Sequence, residues 1–199
     1  PIVVAWLAAL GVLAVEKDLG TALMFFGLFV VMVYVATGRR SWLVIGLAFL
    51  VVGALLAYAL FGHVQLRVNI WLDTWSYAQN ESYQLAQALF GLANGGLMGT
   101  GWGSGFPSFV PFAKSDFIAA ALGEELGLAG MFAVLLLYVI VVERGLRTAI
   151  AVRDPFGKLL AVGLSSVLAL QTFVVIGGVT RLIPLTGLTT PFLAYGGSA

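Results

Sequence analysis

The chain has 199 residues, of which 61% are hydrophobic and 10% charged, and its formal net charge is +1. Its mean hydropathy of +1.04 leaves too little polar surface to cover a water-soluble domain, so the composition indicates a membrane protein and gives no support to nucleic-acid binding. The chain has no cysteine and one histidine, His63. Disulfides, thiolate nucleophiles and His- or Cys-based metal clusters are therefore excluded, and a metal would need oxygen ligands.

The apolar runs predict five membrane-spanning helices. About 30 Å of hydrocarbon takes roughly 20 apolar residues as a helix, because lipid offers no partner to an open backbone amide. The predicted spans are 2–15, 19–36, 42–62, 126–142 and 159–179, and residues 63–125 form one large loop. We therefore expect an all-α membrane protein, a polytopic helical bundle in which residues 1–199 belong to one membrane domain.

The connections between these spans separate into two sets by charge. Basic residues dominate 37–41 and 143–158, whereas acidic residues outnumber basic ones in the other set, 16–18, 63–125 and 180–199 taken together. An excess of Lys and Arg marks cytoplasmic loops. The pattern predicts that the large loop faces the outside of the cell.

The large loop has its own internal pattern. In residues 81–93, Leu85, Leu89 and Leu92 share one helical stripe beside Gln84 and Gln87, which is typical of a helix lying at the membrane interface. The glycine-rich run 95–105 follows. Its spacing superficially matches a nucleotide-binding loop, but no Gly-Lys-Ser/Thr and no strand–helix unit accompanies it. Such glycine density instead indicates backbone bending or a close approach to another segment.

Three acids lie where the chain enters the fourth predicted span. Asp116 comes directly before that span and is a candidate base, although an acid at a helix start also acts as a cap or a dipole partner. Glu124 and Glu125 follow where ionised groups become expensive, and at most one of them can share the helical face of Asp116. We expect these two glutamates to have a buried structural partner, such as a basic residue missing from this fragment, in preference to a catalytic role.

Two stretches of the chain resemble motifs of one family. Residues 16–22 read Glu-Lys-Asp-Leu-Gly-Thr-Ala and resemble the Gln-Pro-Asp-Leu-Gly-Thr-Ala signature of the SEDS family (RodA, FtsW and SpoVE), with Glu16 and Lys17 as departures. Residues 82–85, Ser-Tyr-Gln-Leu, followed by Gln87, resemble the Gly-Tyr-Gln-Leu segment of the family's large extracellular loop.

Two further stretches resemble the same family. Residues 114–127 are similar to its His-Thr-Asp-Phe-Ile…Glu-Glu-Leu-Gly block. Residues 184–198 look like its closing motif, Pro-x-x-Gly-x-x-x-Pro-Phe…Ser-Tyr-Gly-Gly-Ser. The four motifs occur in the family's order and cover nearly the whole chain.

The resemblance implies a fold and an activity. The family fold has ten transmembrane helices, and we expect this chain to be a fragment holding the fifth to the ninth, from a RodA-like or FtsW-like protein of the actinobacterial branch. The implied enzyme is a peptidoglycan glycosyltransferase in the bacterial plasma membrane. It polymerises lipid II by transferring undecaprenyl-pyrophosphate-linked glycan, and a class B penicillin-binding protein is its implied partner, with membrane lipid around both.

The resemblance also implies roles for particular residues. Asp116 matches the family's essential aspartate and is the predicted catalytic base. The predicted substrate-binding residues are polar or cationic and lie in the outward segments: Arg67, Gln84, Gln87, Lys114, Ser115 and Arg181. The predicted supporting residues are Asp18, Glu124, Glu125, Pro191, Gly196 and Gly197.

Alternative roles stay open for several of these residues. Arg67 is the first candidate to grip a pyrophosphate, whereas Lys114 and Arg181 equally suit contacts with lipid headgroups. A structural role in a turn competes with cation binding for Asp18. A divalent cation, Mg²⁺ or Mn²⁺ with Asp116 as a candidate ligand, would also neutralise a pyrophosphate, but no metal site is assigned.

Two other functions compete with glycosyl transfer. A lipid-linked precursor flippase or transporter would also combine polar residues with glycine breaks, but its ionisable residues should lie near the bilayer midplane. Here the charges gather at the ends of the apolar runs. A non-catalytic scaffold of the cell-wall synthesis complex is the third hypothesis.

Overall fold

The computed structural model describes Trp6, Gly11, Glu16 and residues 18–195. Its α-helices are α1 (Leu19–Thr37), α2 (Ser41–Leu60), α3 (Gly62–Leu72), α4 (Tyr83–Gly95), α5 (Ile118–Ala151) and α6 (Pro155–Val179). Short 3₁₀ turns cover Trp75–Tyr77 and Pro107–Phe109. No β-strand occurs in this part of the chain, and the all-α membrane class is confirmed.

Helices α1, α2, α5 and α6 are each long and apolar enough to cross a membrane. They correspond to the second to fifth predicted spans, whereas the predicted span 2–15 lies almost entirely outside the described residues. The largest difference concerns α5, which has a helical segment from Ile118 to a break at Gly127, ahead of the predicted start at 126, and which ends at Ala151 rather than 142. A helix continues past the hydrocarbon through charged residues, so an uncharged run marks the lipid-exposed length and underestimates the helix.

Helix ends follow local capping rules. Asp18 caps α1, since its Oδ1 accepts a hydrogen bond from the Thr21 amide at 3.0 Å, and Gly38 ends that helix with a φ of 66°. Pro155 opens α6, where Asp154 Oδ2 accepts from the Gly157 amide at 2.7 Å. The Asp18 carboxylate is thus the N-cap of α1 in this structure.

The chain divides into two compact units. The first comprises Pro1–Gln65 and Val141–Leu170, and the second comprises Leu66–Ile140 and Gln171–Ala199. In the first unit α1 and α2 approach closely at Gly46, where an added Cβ would lie 2.6 Å from Val30. In the second unit a buried cluster joins α4, the turn before α5, and the end of α6; its members are Leu85, Ala88, Val110, Phe117, Ala120 and Val179.

Helix α5 is broken near its start. Gly127 has φ 68° and ψ −170°, which is not helical. In an unbroken helix the amides of Leu128 and Ala129 would donate to the carbonyls of Glu124 and Glu125. Here they donate to the carbonyls of Gly96 and Leu97, at 2.9 and 3.1 Å.

The glycine-rich run fills this break. The amides of Thr100 and Gly101 donate to the carbonyls of Glu124 and Glu125, both at 3.0 Å, so four backbone hydrogen bonds join the loop to α5. A Cβ on Gly99 would lie 2.1 Å from the Glu125 carbonyl oxygen. The close approach expected from the glycine density is therefore a backbone-to-backbone contact with α5.

Candidate functional site

Asp116 lies in the turn that leads into α5, beside a firmly anchored neighbour. Phe117 is only 1% exposed and belongs to the core cluster of the second unit. The amides of Ser115 and Phe117 both donate to the carbonyl of Phe112, at 3.0 and 3.3 Å. These contacts fix the backbone on either side of the half-buried Asp116 carboxylate.

The Asp116 carboxylate is uncommitted within the described part of the chain. No described Lys or Arg forms an ion pair with it, and no described donor forms a hydrogen bond with it. Asp73 differs, because its carboxylate accepts from the hydroxyl and amide of Ser76 at 2.5 and 3.2 Å. Those hydrogen bonds, the Ser76 hydroxyl first, hold the pKa of Asp73 below its ordinary value. The capping alternative for Asp116 therefore has no hydrogen bond to support it.

Glu124 is buried and holds the loop to α5. Its Oε1 accepts hydrogen bonds from Asn94 Nδ2 and from the Phe106 amide, both at 3.1 Å, and the residue is 4% exposed. Among the described residues, the hydrogen-bond partners of the Glu124 carboxylate are therefore two neutral donors. Glu125 is half-buried on the same helix, and its carbonyl accepts from Gly101.

Two predicted cationic residues bind backbone carbonyls. Arg67 Nη1 donates to the carbonyls of Leu185 and Thr186, both at 2.9 Å. Arg181 Nη2 donates to the Trp71 carbonyl at 2.9 Å, and Trp71 Nε1 returns a 2.8 Å bond to the Arg181 carbonyl. A guanidinium carries five N–H donors, so these contacts occupy only part of each side chain.

The closing segment, residues 180–195, is held at several further points. Gln171 Nε2 donates to the Thr189 carbonyl at 2.9 Å, and the Tyr138 hydroxyl donates to the Pro191 carbonyl. The Tyr195 amide donates to the Lys114 carbonyl at 2.7 Å. The segment therefore reaches the turn that carries Asp116, while Gly196 and Gly197 lie outside the described residues.

The remaining predicted residues surround this turn less directly. Gln84 and Gln87 are half-buried on α4, Lys114 is exposed, and the Ser115 hydroxyl donates to the Phe112 carbonyl at 3.3 Å. Lys114 and Ser115 share the turn with Asp116. No hydrogen bond or ion pair between described residues joins Arg67, Arg181 or either glutamine to the Asp116 carboxylate.

The model of the FtsW/RodA/SpoVE family, described as cell cycle protein, matches residues 1–199. The chain belongs to this family. Its members are the SEDS proteins whose four motifs the chain resembles, and the family assignment made from those motifs is confirmed.

Several curated relatives of this SEDS chain are similar over its whole length. The peptidoglycan glycosyltransferase RodA of Mycobacterium tuberculosis is 58% identical over 199 residues, which are 100% of this chain and 42% of that protein. The probable peptidoglycan glycosyltransferase FtsW of Geobacter metallireducens is 37% identical over 100% of this chain and 54% of that protein. The chain spans about half or less of the curated relatives it matches.

A solved structure shares the SEDS fold. That structure concerns the structural coordination of polymerization and crosslinking by a peptidoglycan synthase complex. The two chains superpose with a TM-score of 0.80 at 27% identity, over 98% of this chain and 55% of the other.

The SEDS chain also has a groove that sequence reasoning did not predict. It has a volume of about 670 Å³ and lies in the second unit. Its lining is mainly apolar, with one cationic residue: Trp71, Leu72, Trp75, Leu89, Phe90, Ala93, Thr180 and Arg181. The tryptophans and the leucine stripe of α4 are visible in the sequence, but the contact of Arg181 with Trp71 joins segments far apart in the chain.

Proposed function

We propose that the protein is a peptidoglycan glycosyltransferase that polymerises lipid II, with Asp116 as its general base. The names of the RodA and FtsW relatives support the activity. The observation that carries the residue assignment is the Asp116 carboxylate, which is anchored by Phe117 and has no partner among the described residues. A base must be both fixed and free to accept a proton.

The proposed step transfers one glycan. The 4-hydroxyl oxygen of lipid II forms a bond to the anomeric carbon of the growing, lipid-linked glycan, and the bond from that carbon to the pyrophosphate oxygen breaks. The lipid-linked pyrophosphate leaves with the electron pair, and the hydroxyl proton passes to Asp116. A positioned carboxylate contributes typically about 10²–10⁴-fold to such a step.

Cationic residues are the proposed partners of the pyrophosphate. Arg67 is the first candidate, because Nη1 binds two carbonyls while the described residues include no hydrogen-bond partner for Nη2 or Nε. Lys114 is exposed in the same turn as Asp116. Arg181 and the two α4 glutamines, Gln84 and Gln87, complete the proposed substrate contacts. These assignments are independent of the base.

A divalent cation stays a separate prediction. Among the described residues no group of three acidic, His or Cys side chains is placed to hold a metal ion. The described residues alone therefore form no complete protein site for Mg²⁺ or Mn²⁺, and no step of the proposed reaction passes through one. Asp116 remains the candidate ligand for such an ion.

The proposed setting is the bacterial plasma membrane, with the active site on the extracytoplasmic face. The basic residues of 37–41 and 143–158 support this orientation. A class B penicillin-binding protein is the proposed partner. The solved structure similar to this chain supports it, since that structure concerns polymerization together with crosslinking.

Replacing Asp116 tests the proposed function. The natural full-length protein, reconstituted in proteoliposomes, is given lipid II, and glycan length is measured for wild type and Asp116→Asn. The matched control is Glu81→Gln, because Glu81 is an exposed acid of the same large loop. We expect Asp116→Asn to lose about 10²–10⁴-fold in rate, whereas Glu81→Gln keeps the wild-type rate.

Three results would reject the proposal. Wild-type polymerisation by Asp116→Asn would remove Asp116 as the base. Absence of polymerisation in the wild type, with labelled lipid II moving between leaflets, would identify a flippase, and partner binding with neither activity would identify a scaffold.

A further inference from the structure

The glycine-rich loop and its surroundings carry no charge. Residues 82–113 contain no Asp, Glu, Lys, Arg or His, although all of them lie outside the four helices that are long and apolar enough to cross a membrane. Three large apolar side chains in this stretch are prominently exposed: Leu97 by 70%, Met98 by 84% and Trp102 by 76%. An exposed apolar cluster in an uncharged segment indicates a surface that lipid or protein covers.

The position of the loop along α5 indicates its depth in the membrane. Gly96 and Leu97 accept hydrogen bonds from Leu128 and Ala129, and α5 has no charged residue between Glu125 and Glu143. A span takes roughly 20 residues, so this uncharged stretch is barely long enough for the hydrocarbon. Its first turn, where the loop docks, therefore lies inside the lipid rather than in water.

The backbone of the first part of the loop is largely paired within the protein. Irregular backbone at membrane depth is tolerated only where it is buried in protein or lines a water-filled cavity, because lipid cannot pair its amides and carbonyls. Here Gly99 donates to Gly95 at 2.8 Å, and Thr100 and Gly101 donate to the carbonyls released by the break in α5. The break supplies partners that an intact helix would have used itself.

We propose that residues 96–105 form a membrane wedge inserted into the leaflet on the side of the large loop. Leu97 and Met98 contact lipid acyl chains there, and Trp102 lies at headgroup level, where tryptophan is enriched. The wedge holds the turn region of α5 at a defined depth. It depends on the proposed orientation but not on glycosyl transfer.

Depth-dependent fluorescence quenching tests the wedge. In the natural full-length protein, cleared of any other cysteines, Met98→Cys carries an environment-sensitive fluorophore and the protein is placed in phosphatidylcholine–phosphatidylglycerol vesicles. The matched control is Gln79→Cys, an exposed position in the turn before α4. We expect blue-shifted emission at residue 98, and loss of that fluorescence with lipids carrying a nitroxide near the top of the acyl chain. The fluorescence of the probe at residue 79 should be quenched only by iodide in the aqueous phase.

Either of two other results would overturn the proposal. Quenching of residue 98 by iodide would place the loop in water. Protection from both quenchers would show that protein covers it, either another part of the full-length chain or a partner. Leu97→Cys gives the same readout if Met98→Cys does not fold, and unchanged quenching of either variant in glycosyl-transfer-inactive Asp116→Asn separates this test from the proposed function.

Discussion

Asp116 and Phe117 are adjacent in the chain but have opposite surroundings. Phe117 is 1% exposed in the core cluster, whereas the Asp116 carboxylate is half-buried and has no partner among the described residues. A large apolar side chain next to a reactive carboxylate restricts where that carboxylate can lie, because the buried ring has few alternative positions. Phe117 is therefore the proposed positioning residue for Asp116.

Phe117→Ala should destabilise the second unit and misplace Asp116. Truncation of a buried phenylalanine costs about 3–5 kcal/mol, and polymerisation by the folded fraction should also fall. Phe109→Ala is the control, since Phe109 is 65% exposed. Thermal unfolding and turnover per folded molecule are the measurements. Equal unfolding temperatures and equal turnover of Phe117→Ala and Phe109→Ala would contradict the proposal that Phe117 positions Asp116.

Gly127→Ala should break the contact between α5 and the loop. A Cβ at residue 127 would lie 2.3 Å from the Gly99 amide nitrogen, and its φ of 68° strains any other residue. Strain of this kind costs about 1–3 kcal/mol before the clash is added. Gly53→Ala is the matched control, because Gly53 lies in α2 with open space around its Cβ position. The unfolding midpoint of Gly53→Ala should stay unchanged or rise slightly, whereas that of Gly127→Ala should fall. A similar fall in both variants would argue against the contact between α5 and the loop.

The membrane spans were predictable because hydrocarbon imposes a local requirement, an uninterrupted run of apolar residues. The start of α5 at Ile118 was not predictable in this way, because residues 118–125 include two glutamates and so do not belong to an uncharged run. No local sequence signal indicates that Glu124 is buried against Asn94 and Phe106. Burial of that kind depends on which distant segment packs against it.

The candidate site was predictable only in its residue types. Asp116 stands out from a motif, and the glycine density of 95–105 indicates a close approach, but neither names the partner segment. Arg67 shows the reason most clearly. Its partners are the backbone carbonyls of Leu185 and Thr186, and every residue has such a carbonyl, so the sequence contains no signal for the pairing.

Glu124→Gln and Glu124→Ala should differ in effect. Both hydrogen bonds reach Oε1, and a glutamine oxygen can accept both, whereas alanine leaves Asn94 Nδ2 and the Phe106 amide unpaired at about 1–3 kcal/mol each. We expect Glu124→Ala to lower the unfolding midpoint much more than Glu124→Gln. If an unseen cation balanced this carboxylate in the full-length protein, the glutamine variant would be as damaging as the alanine variant.

Arg67→Lys should loosen the closing segment even though it keeps the charge. An ammonium cannot reproduce the fixed geometry of a guanidinium whose Nη1 bridges two carbonyls, and hydrogen bonds to charged groups are worth about 1.5–3 kcal/mol. Hydrogen exchange of residues 185–190 should therefore speed up in Arg67→Lys. Arg153→Gln, at an exposed position between α5 and α6, should leave that exchange unchanged.

The same variant separates the two roles given to Arg67. If the guanidinium acts only on pyrophosphate, Arg67→Lys changes the KM for lipid II while exchange in the closing segment stays at the wild-type rate. If the guanidinium only holds the closing segment in place, hydrogen exchange of that segment speeds up and kcat falls. The fall in kcat is expected because the Tyr195 amide binds the Lys114 carbonyl, and Lys114 lies in the same turn as Asp116. If the bonds from Arg67 to the Leu185 and Thr186 carbonyls hold the closing segment, hydrogen exchange there must speed up in Arg67→Lys. Exchange at the wild-type rate would reject that structural role.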